Sequence, residues 1–402
     1  MRVAVVAEYY PRSSDPAWGI WAHRQAAGVR ERGVDLRVVS LDRPLPSRED
    51  VRALPNLGPL ANWAQAFVHP EGPTVLDGVP VSYARFFSPP RPLSYATWGH
   101  WAARSVRRAL DRQWQPDLVH AHYAVPAGDA VLRWISRGHD VPLVVSVHGG
   151  DLSYTAARSA RGRAVVARVL KAADAVIANS QVTKRGIEEL TGPLPRLWVI
   201  HPGAETAPAP TERHRDTTLV TVAHLEPHKN QANVIRALAA LAGRHRGLRY
   251  ELIGKGPDRH ALEELAHSLG VGDRVVFLGG MPQEAALAEL ARCHVHVMPS
   301  VHDAFGVAHV EAMAAGLPAI GGEGTGAEDI AAAGEGMVLV PSGDVSALAR
   351  AIEVLVSDPA ERERRGEAAR RTAAEHFSWG RNVDETLSLY RELTERRLRS
   401  AA

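Results

Sequence analysis

Short aliphatic and β-branched runs recur along the whole chain, and most are unbroken rather than alternating. A first series comprises Val3–Ala7, Leu36–Ser40, Leu118–His122, Leu143–His148, Ala175–Asn179 and Leu197–Ile200. A second comprises Leu219–Ala223, Tyr250–Ile253, Val275–Leu278, His294–Met298, Pro318–Ile320 and Met337–Val340. An unbroken apolar run gives a strand that is covered on both faces, as in a parallel sheet packed between helices. Helically spaced segments lie between the runs, at Ala22–Arg32, Val131–Arg137, Gln231–Leu241 and Ala261–Leu269. This alternation predicts an α/β fold of doubly wound parallel sheets.

The alternation lapses at Gly203–Thr217 (GAETAPAPTERHRDT), a stretch rich in Pro and polar residues with no apolar period. It reads as a linker. The chain then divides into a first domain over 1–205, a second over 206–378 and a closing helix over 379–402. That helix is amphipathic, with Val383, Leu387, Tyr390 and Leu393 at helical spacing. Ligands of such sheets bind at the carboxyl ends of the strands, so the two domains are expected to face each other across a cleft. Leu41–Pro92, with many prolines and few periods, is expected to hold loops and short elements. The charge-dense Glu361–Arg365 is expected to be a solvated helical face.

Composition narrows the function. With 402 residues, the chain is long enough for two cores, and 45% hydrophobic with 23% charged residues is a globular balance. Lys and Arg number 47 against 45 Asp and Glu, so nothing points to a nucleic-acid or other polyanion partner. Cys293 is the one cysteine, so no intrachain disulfide and no Cys-based zinc site are expected. The first apolar run falls short of the roughly 7–15 residues of a signal-peptide core. No uncharged stretch reaches the roughly 18–20 residues of a membrane span. A cytoplasmic protein is expected, at most peripheral on the inner face of the membrane.

The most informative segment is Pro299–Pro318 (PSVHDAFGVAHVEAMAAGLP), which follows a strand and opens a helix that stops at Gly316-Leu317-Pro318. A helix start near Phe305-Gly306-Val307 offers free N–H groups and a positive dipole end, suited to a diphosphate. Asp303 precedes the helix, and Glu311 within it could accept hydrogen bonds from a ribose diol. In Val222–Asn230 (VAHLEPHKN), a strand ends and Lys229 stands at the next helix start, where the dipole disfavours a cation. A polyanionic ligand bridging the two would account for it. Ile253-Gly254-Lys255-Gly256-Pro257 is a glycine turn without the full dinucleotide fingerprint. Taken singly, each of these features also reads as ordinary loop or helix sequence.

Together, in this order and spacing, they resemble the donor half of the retaining GT-B glycosyltransferases of family 4. Asp303…Glu311 matches that family's acidic-x7-Glu motif within E-x-F-G-x-x-x-x-E-A-M-A, and Ala223-His224-Leu225…Lys229-Asn230 matches G-R-L-x-x-x-K-G. Val275–Gly279 is similar to its V-x-F-L-G strand, and His376-Phe377-Ser378-Trp379 to its C-terminal pattern. In the first half, Leu143–Asp151 (LVVSVHGGD) resembles the strand ending in H-G-x-D. Ala178-Asn179-Ser180 and Val199–Gly203 also match. Ala121–Gly128 and Gly322–Asp329 look most like enzymes that build bacterial surface polysaccharides. The departures are Asp303 for Glu, His224 for Arg, Pro202–Glu205 for the N-G-V-D turn, and Trp18-Gly19 for a Gly-Gly loop.

The resemblance implies a GT-B fold and transfer of a hexosyl group, with retention, from a nucleotide diphosphate sugar to a hydroxyl acceptor. The acceptor could be a saccharide, lipid-linked or a small molecule. No cofactor and no divalent metal are implied. Lys229 would neutralise the leaving diphosphate with help from His224. Asp303 would touch the donor sugar, Glu311 the ribose, and the amides of Phe305, Gly306 and Val307 the sugar–diphosphate. Gly279 and Met281 would flank the base, and Gly19 would shape the loop facing the phosphates. His148 would act as a catalytic group from the first domain, with His122 and Trp18 as candidate acceptor contacts. An impaired nucleotide-sugar-binding protein and a GT-B epimerase are the alternatives.

Two further patterns complete the reading. The pairs His120/His122 and His294/His296 each share one face of a strand, but a zinc site needs three or four converging ligands. Cys293 reads as a small buried hydrophobe. Charge is also unevenly spread. Residues 1–205 hold 25 Lys and Arg against 18 Asp and Glu, whereas the remainder holds 22 against 27. Much of the first-half charge lies in expected helices at Arg104–Arg112 and Arg158–Lys171, and eight of the nine tryptophans precede residue 199. Such a surface suits an anionic membrane or lipid diphosphate, and equally a solvated face over core tryptophans.

Overall fold

A computed structural model describes residues 1–13, 15, 18–44, 72–92, 94–111, 114–204 and 212–401, leaving out Leu93. Residues 205–211 of the expected linker, and with them the expected 205/206 boundary, lie outside the described residues, as does 45–71 of the stretch expected to hold loops. The chain forms two compact units, Met1–Ile200 with Asn382–Ala402, and His201–Arg381.

The first unit is built on strands β1 (Arg2–Ala7), β2 (Asp35–Asp42), β3 (Thr74–Leu76), β4 (Val79–Arg85), β5 (Leu118–His122), β6 (Leu143–Val147), β7 (Ala175–Ala178) and β8 (Leu197–Val199). Their order is β3-β4-β2-β1-β5-β6-β7-β8, with every neighbouring pair parallel except β3 and β4. The unbroken apolar runs are explained by burial on two sides. Ala4 and Val6 of β1 face a core with helices Trp98–Leu110, Asp129–Ile135 and Ala160–Ala172. Val3, Val5 and Ala7 face a second core with helix Ile20–Glu31 and Val383, Leu387, Leu389, Tyr390 and Leu393 of the closing helix Trp379–Ala401. That helix is therefore part of this unit's interior.

Leu41–Pro92 contains more order than its composition suggested. β4 pairs in parallel with β2 through Val38↔Val81 to Asp42↔Arg85, and β3 folds back on β4 through Asp77-Gly78. Both turn residues have positive φ, 44° and 76°, the geometry a two-residue hairpin requires.

In the second unit, β9 (Thr218–Val222), β10 (Arg249–Ile253), β11 (Val275–Gly279), β12 (Val295–Met298), β13 (Ala319–Gly322) and β14 (Met337–Val340) form a parallel sheet in the order β11-β10-β9-β12-β13-β14. Its strand order reverses at β9, which lies between β10 and β12. In the first unit the reversal falls at β1, between β2 and β5. In open α/β sheets, ligands bind beyond the carboxyl ends of the strands at such a reversal. Among the described residues, no helix is long and apolar enough to cross a membrane.

Candidate active site

At the reversal of the second unit, the loops after β9 and β12 are tied to one another. Val301 N–H donates to the His228 carbonyl (2.9 Å) and Asn230 Nδ2 to the Pro299 carbonyl (3.1 Å). The first loop passes through the tight turn Pro227–Lys229 into helix Gln231–Leu241, with Asn230 at φ 63° making the bend. Lys229 is thereby delivered to Asp303, Nζ to Oδ2 2.6 Å, with the two side chains only 17% and 15% exposed. Ser300 Oγ lies 3.5 Å from the same carboxylate oxygen.

Gly306, at φ 87°, starts helix Val307–Ala314. A Cβ there would come within 2.6 Å of the His309 ring. Phe305 is buried against His201 and Phe377, so only its backbone is available to a ligand. Glu311, one turn into the helix, accepts a hydrogen bond from Gln283 Nε2 (3.1 Å). Gln283 opens helix Gln283–Arg292 just past Met281, so this bond brings Glu311 to the loop that follows β11.

The glycine turn after β10 has a steric origin. A Cβ on Gly254 would lie 1.9 Å from the Ala223 carbonyl oxygen, and one on Gly256 would lie 2.2 Å from that of Leu225. Gly254 also donates to the Gly279 carbonyl (2.8 Å). The turn lets three loops, carrying His224, Lys255 and Gly279-Gly280-Met281, close up backbone to backbone. His224 is exposed, and its carbonyl is held by Gln231 Nε2 at 2.9 Å.

At the reversal of the first unit, aromatic rings gather. Gly19, at φ 70°, lies against Tyr9, whose carbonyl carbon and oxygen are both 2.2 Å from where a Cβ would stand. The exposed Trp18 packs on Tyr9 (centroids 4.8 Å), Tyr9 on Tyr123 (4.9 Å), and Tyr123 on His148 (5.0 Å). Parallel pairing of β5 with β6, His122 opposite Ser146, places His122 Nδ1 2.9 Å from His148 Nε2. His122 Nε2 is buried without a hydrogen-bond partner. An orphaned buried N–H costs more than an orphaned lone pair. His122 therefore donates from Nδ1, and His148 keeps its own proton on Nδ1. Burial holds His148 neutral, its pKa lowered to about 4.

Asp151 joins the β5 and β6 loops by accepting N–H bonds from Ala124 (2.8 Å) and His148 (3.3 Å). Burial raises its pKa to about 7 against those bonds. Deeper still, Glu8 pairs with Arg91 and accepts from Tyr95 Oη at 2.6 Å. The neighbouring His120 is satisfied by Tyr390 and Ser146, at 2.6 and 2.7 Å, leaving no free nitrogen for a metal.

Residues 204–372 match the family model described as glycosyl transferases group 1, and residues 19–208 match that of glycosyltransferase family 4. The GDP-mannose-dependent alpha-(1-6)-phosphatidylinositol monomannoside mannosyltransferase of Mycolicibacterium smegmatis is 30% identical over 62% of this chain and 71% of its own. The chain belongs to this glycosyltransferase family. The glycogen synthase of Mycobacterium tuberculosis is 28% identical over 97% of this chain and 94% of its own. Among solved structures, the sucrose-phosphate synthase of Thermosynechococcus elongatus superposes with a TM-score of 0.78 at 19% identity. It covers 98% of this chain and 100% of that one, the same two-domain GT-B fold.

In this glycosyltransferase, the second unit brings Lys229, Asp303, Gly306 and Glu311 to one end of its sheet, with Gly279 and Met281 on a loop beside them. The first unit gathers Trp18, Gly19, His122 and His148. Tyr9 and Tyr123 carry no motif in the sequence. Tyr123 directly follows β5 and Tyr9 stands two residues past β1, positions at the reversal point that single them out once strand order is known. Nor does any local pattern mark the direct contact between Lys229 and Asp303.

Proposed function

We propose that the protein transfers a hexosyl group from a nucleotide diphosphate sugar to a hydroxyl acceptor with retention of anomeric configuration, in polysaccharide or glycoconjugate synthesis. The observation that carries this is the half-buried Lys229–Asp303 pair beside the amino end of helix Val307–Ala314. A cation held at a helix start, together with that helix's free amides, forms a site for a leaving diphosphate. Asp303 holds Lys229 in place without ligand, and the diphosphate would share that ammonium group. Glu311, which accepts from Gln283 Nε2, would take the ribose hydroxyls.

In the transfer, the bond from the anomeric carbon to the phosphate oxygen breaks and one to the acceptor oxygen forms on the same face. The acceptor proton passes to the departing phosphate. Lys229 and the amides of Gly306 and Val307 stabilise the charge that develops. His148, neutral and carrying Nδ1–H, is suited to hydrogen-bond a sugar hydroxyl. The cationic side chains, with no divalent metal, would serve the leaving group.

Purified protein offered UDP-, GDP- and ADP-sugars with an acceptor extract should release nucleoside diphosphate, equally with and without EDTA. The product should keep the donor's anomeric configuration by NMR. Tight nucleotide binding with no release from any donor would replace this reading with a binding protein, and sugar interconversion without transfer with an epimerase. An inverted product would remove the retaining mechanism.

A lipid-linked acceptor on an anionic membrane face accords with helix Trp98–Leu110, where Arg104 and Arg108 are exposed beside an exposed Trp101. Binding to anionic vesicles that is lost at high salt is the expected result. No binding at low salt would remove this acceptor class.

A further inference from the structure

A cluster in the second unit, at the opposite end of the sheet from Lys229, takes no part in the chemistry above. His214 precedes β9, Glu251 sits within β10, Glu289 is near the end of helix Gln283–Arg292, and Cys293 immediately precedes β12. Their nitrogen, oxygen and sulfur atoms all lie within 4.8 Å of one another. His214 Nε2 is 2.8 Å from Glu289 Oε1 and 3.4 Å from Glu251 Oε1, and Cys293 Sγ is 3.5 Å from Glu251 Oε2. A tetrahedral zinc site with bonds of about 2.0–2.3 Å sets its ligand atoms roughly 3.3–3.7 Å apart.

As a hydrogen-bonded cluster the arrangement is poor. Two carboxylates compete for a single Nε2–H, and Glu251 is buried, with 8% of its surface exposed, in a sheet interior. Cys293 is fully buried, and its thiol is a weak donor. Burying a carboxylate without a full counter-charge is costly. A divalent cation removes the conflict. The imidazole lone pair, a carboxylate oxygen from each glutamate and the sulfur would all turn to the ion, and the thiol would release its proton to solvent. Arg292, 2.9 Å from the other oxygen of Glu289, would supply the remaining positive charge.

We propose that His214, Glu251, Glu289 and Cys293 form a structural site for a zinc-class divalent ion. The site clips the segment entering β9 to β10, to helix Gln283–Arg292 and to the start of β12. The mixed N, O and S donor set selects a borderline metal over calcium or magnesium. The four ligands close the tetrahedron, which leaves no open position for substrate. The site is thus separate from glycosyl transfer. The expectation that a lone cysteine supports no zinc site holds only where the partners are thiolates too; here they are His214, Glu251 and Glu289, too far apart in sequence to form a motif.

The test uses the full chain, stripped with EDTA, reloaded with zinc chloride, desalted and assayed for bound metal. One equivalent of zinc should remain, and the melting temperature should rise on loading. Cobalt chloride should give a thiolate-to-cobalt charge-transfer band together with tetrahedral d–d bands. Cys293→Ser should lose the charge-transfer band, and Glu289→Gln, at a partly exposed helix position, should lose the retained equivalent. Circular dichroism in EDTA shows whether each variant folds. No retained zinc in the wild-type chain would overturn the proposal. So would zinc and cobalt behaviour unchanged in both variants, which would place the metal on other histidines.

Discussion

Lys229→Ala tests the donor site most directly. With Nζ 2.6 Å from Asp303 Oδ2, the gross attraction at an effective dielectric of about 20 is about 6 kcal/mol. A phosphate oxygen at similar distance would gain a comparable amount, partly cancelled by the water each group gives up. Removing one preorganised donor from a developing anion costs about 3–4 kcal/mol, so kcat should fall roughly 10²–10³-fold. Lys229→Arg keeps the charge but not the compact geometry and should recover only part of the rate. Losing the pair should also cost roughly 1–2 kcal/mol of stability, a melting shift of about 2–8 °C for a unit of this size. Nucleoside diphosphate release at saturating donor, well below the melting temperature, separates the two effects. A folded Lys229→Ala variant within about threefold of wild-type kcat would refute leaving-group stabilisation by this side chain.

Other outcomes follow from the same geometry. Glu311→Gln should raise the donor KM more than it lowers kcat, and a normal KM would remove the ribose role. Gly19→Ala places a Cβ 2.2 Å from the Tyr9 carbonyl at φ 70°. It should cost roughly 1–3 kcal/mol and disturb the Tyr9–Trp18 contact, seen as a lower melting temperature and altered tryptophan fluorescence. Stability should fall as pH drops from about 6.5 towards 4. Burial lowers His120 and His309 to about 3 and His148 and His294 to about 4, so the unfolded chain binds more protons in that window. Asp151, raised to about 7, works the other way, because the folded state holds its proton. Burial raises Glu8 and Glu251 as well but also lowers His122 and His296, so six histidines against three acids leave a net acid-side loss. Urea melts from pH 7 to 5 that show no loss would contradict the burial of these rings as neutral groups.

The strands were largely legible because a parallel sheet covered on both faces demands unbroken apolar runs, as Val3–Ala7 and Ala175–Ala178 supply. β4 was not, because Pro80 and the alternation over Val79–Arg85 conceal it, although Asp77-Gly78 carried the hairpin signal. The helix at Trp98–Leu110 was legible only from Arg104 onward, since its first turn, Trp98-Gly99-His100-Trp101, is aromatic and carries a glycine. In the second unit, Asp303, Gly306 and Glu311 stood out because one short segment holds all three in a pattern that resembles the family motif. The partnership of Asp303 with Lys229 depends on β12 lying beside β9, which no local pattern records. The His122–His148 contact depends in the same way on the register of β5 with β6. The role of Gly254 and Gly256 became clear only once the backbone facing them was known.

The closing helix has a consequence for how the chain is made. Leu387, Tyr390 and Leu393 are core residues of a unit whose other members end at Ile200. As the polypeptide leaves the ribosome, that first unit lacks part of its interior until the closing helix has been made. The contiguous second unit, complete by Arg381, can close on itself before then. Folding would then run against the usual order of amino-terminal domain first. A stop codon before residue 383 should release a chain whose second unit is folded and whose first unit exposes the apolar face of β1 and helix Ile20–Glu31.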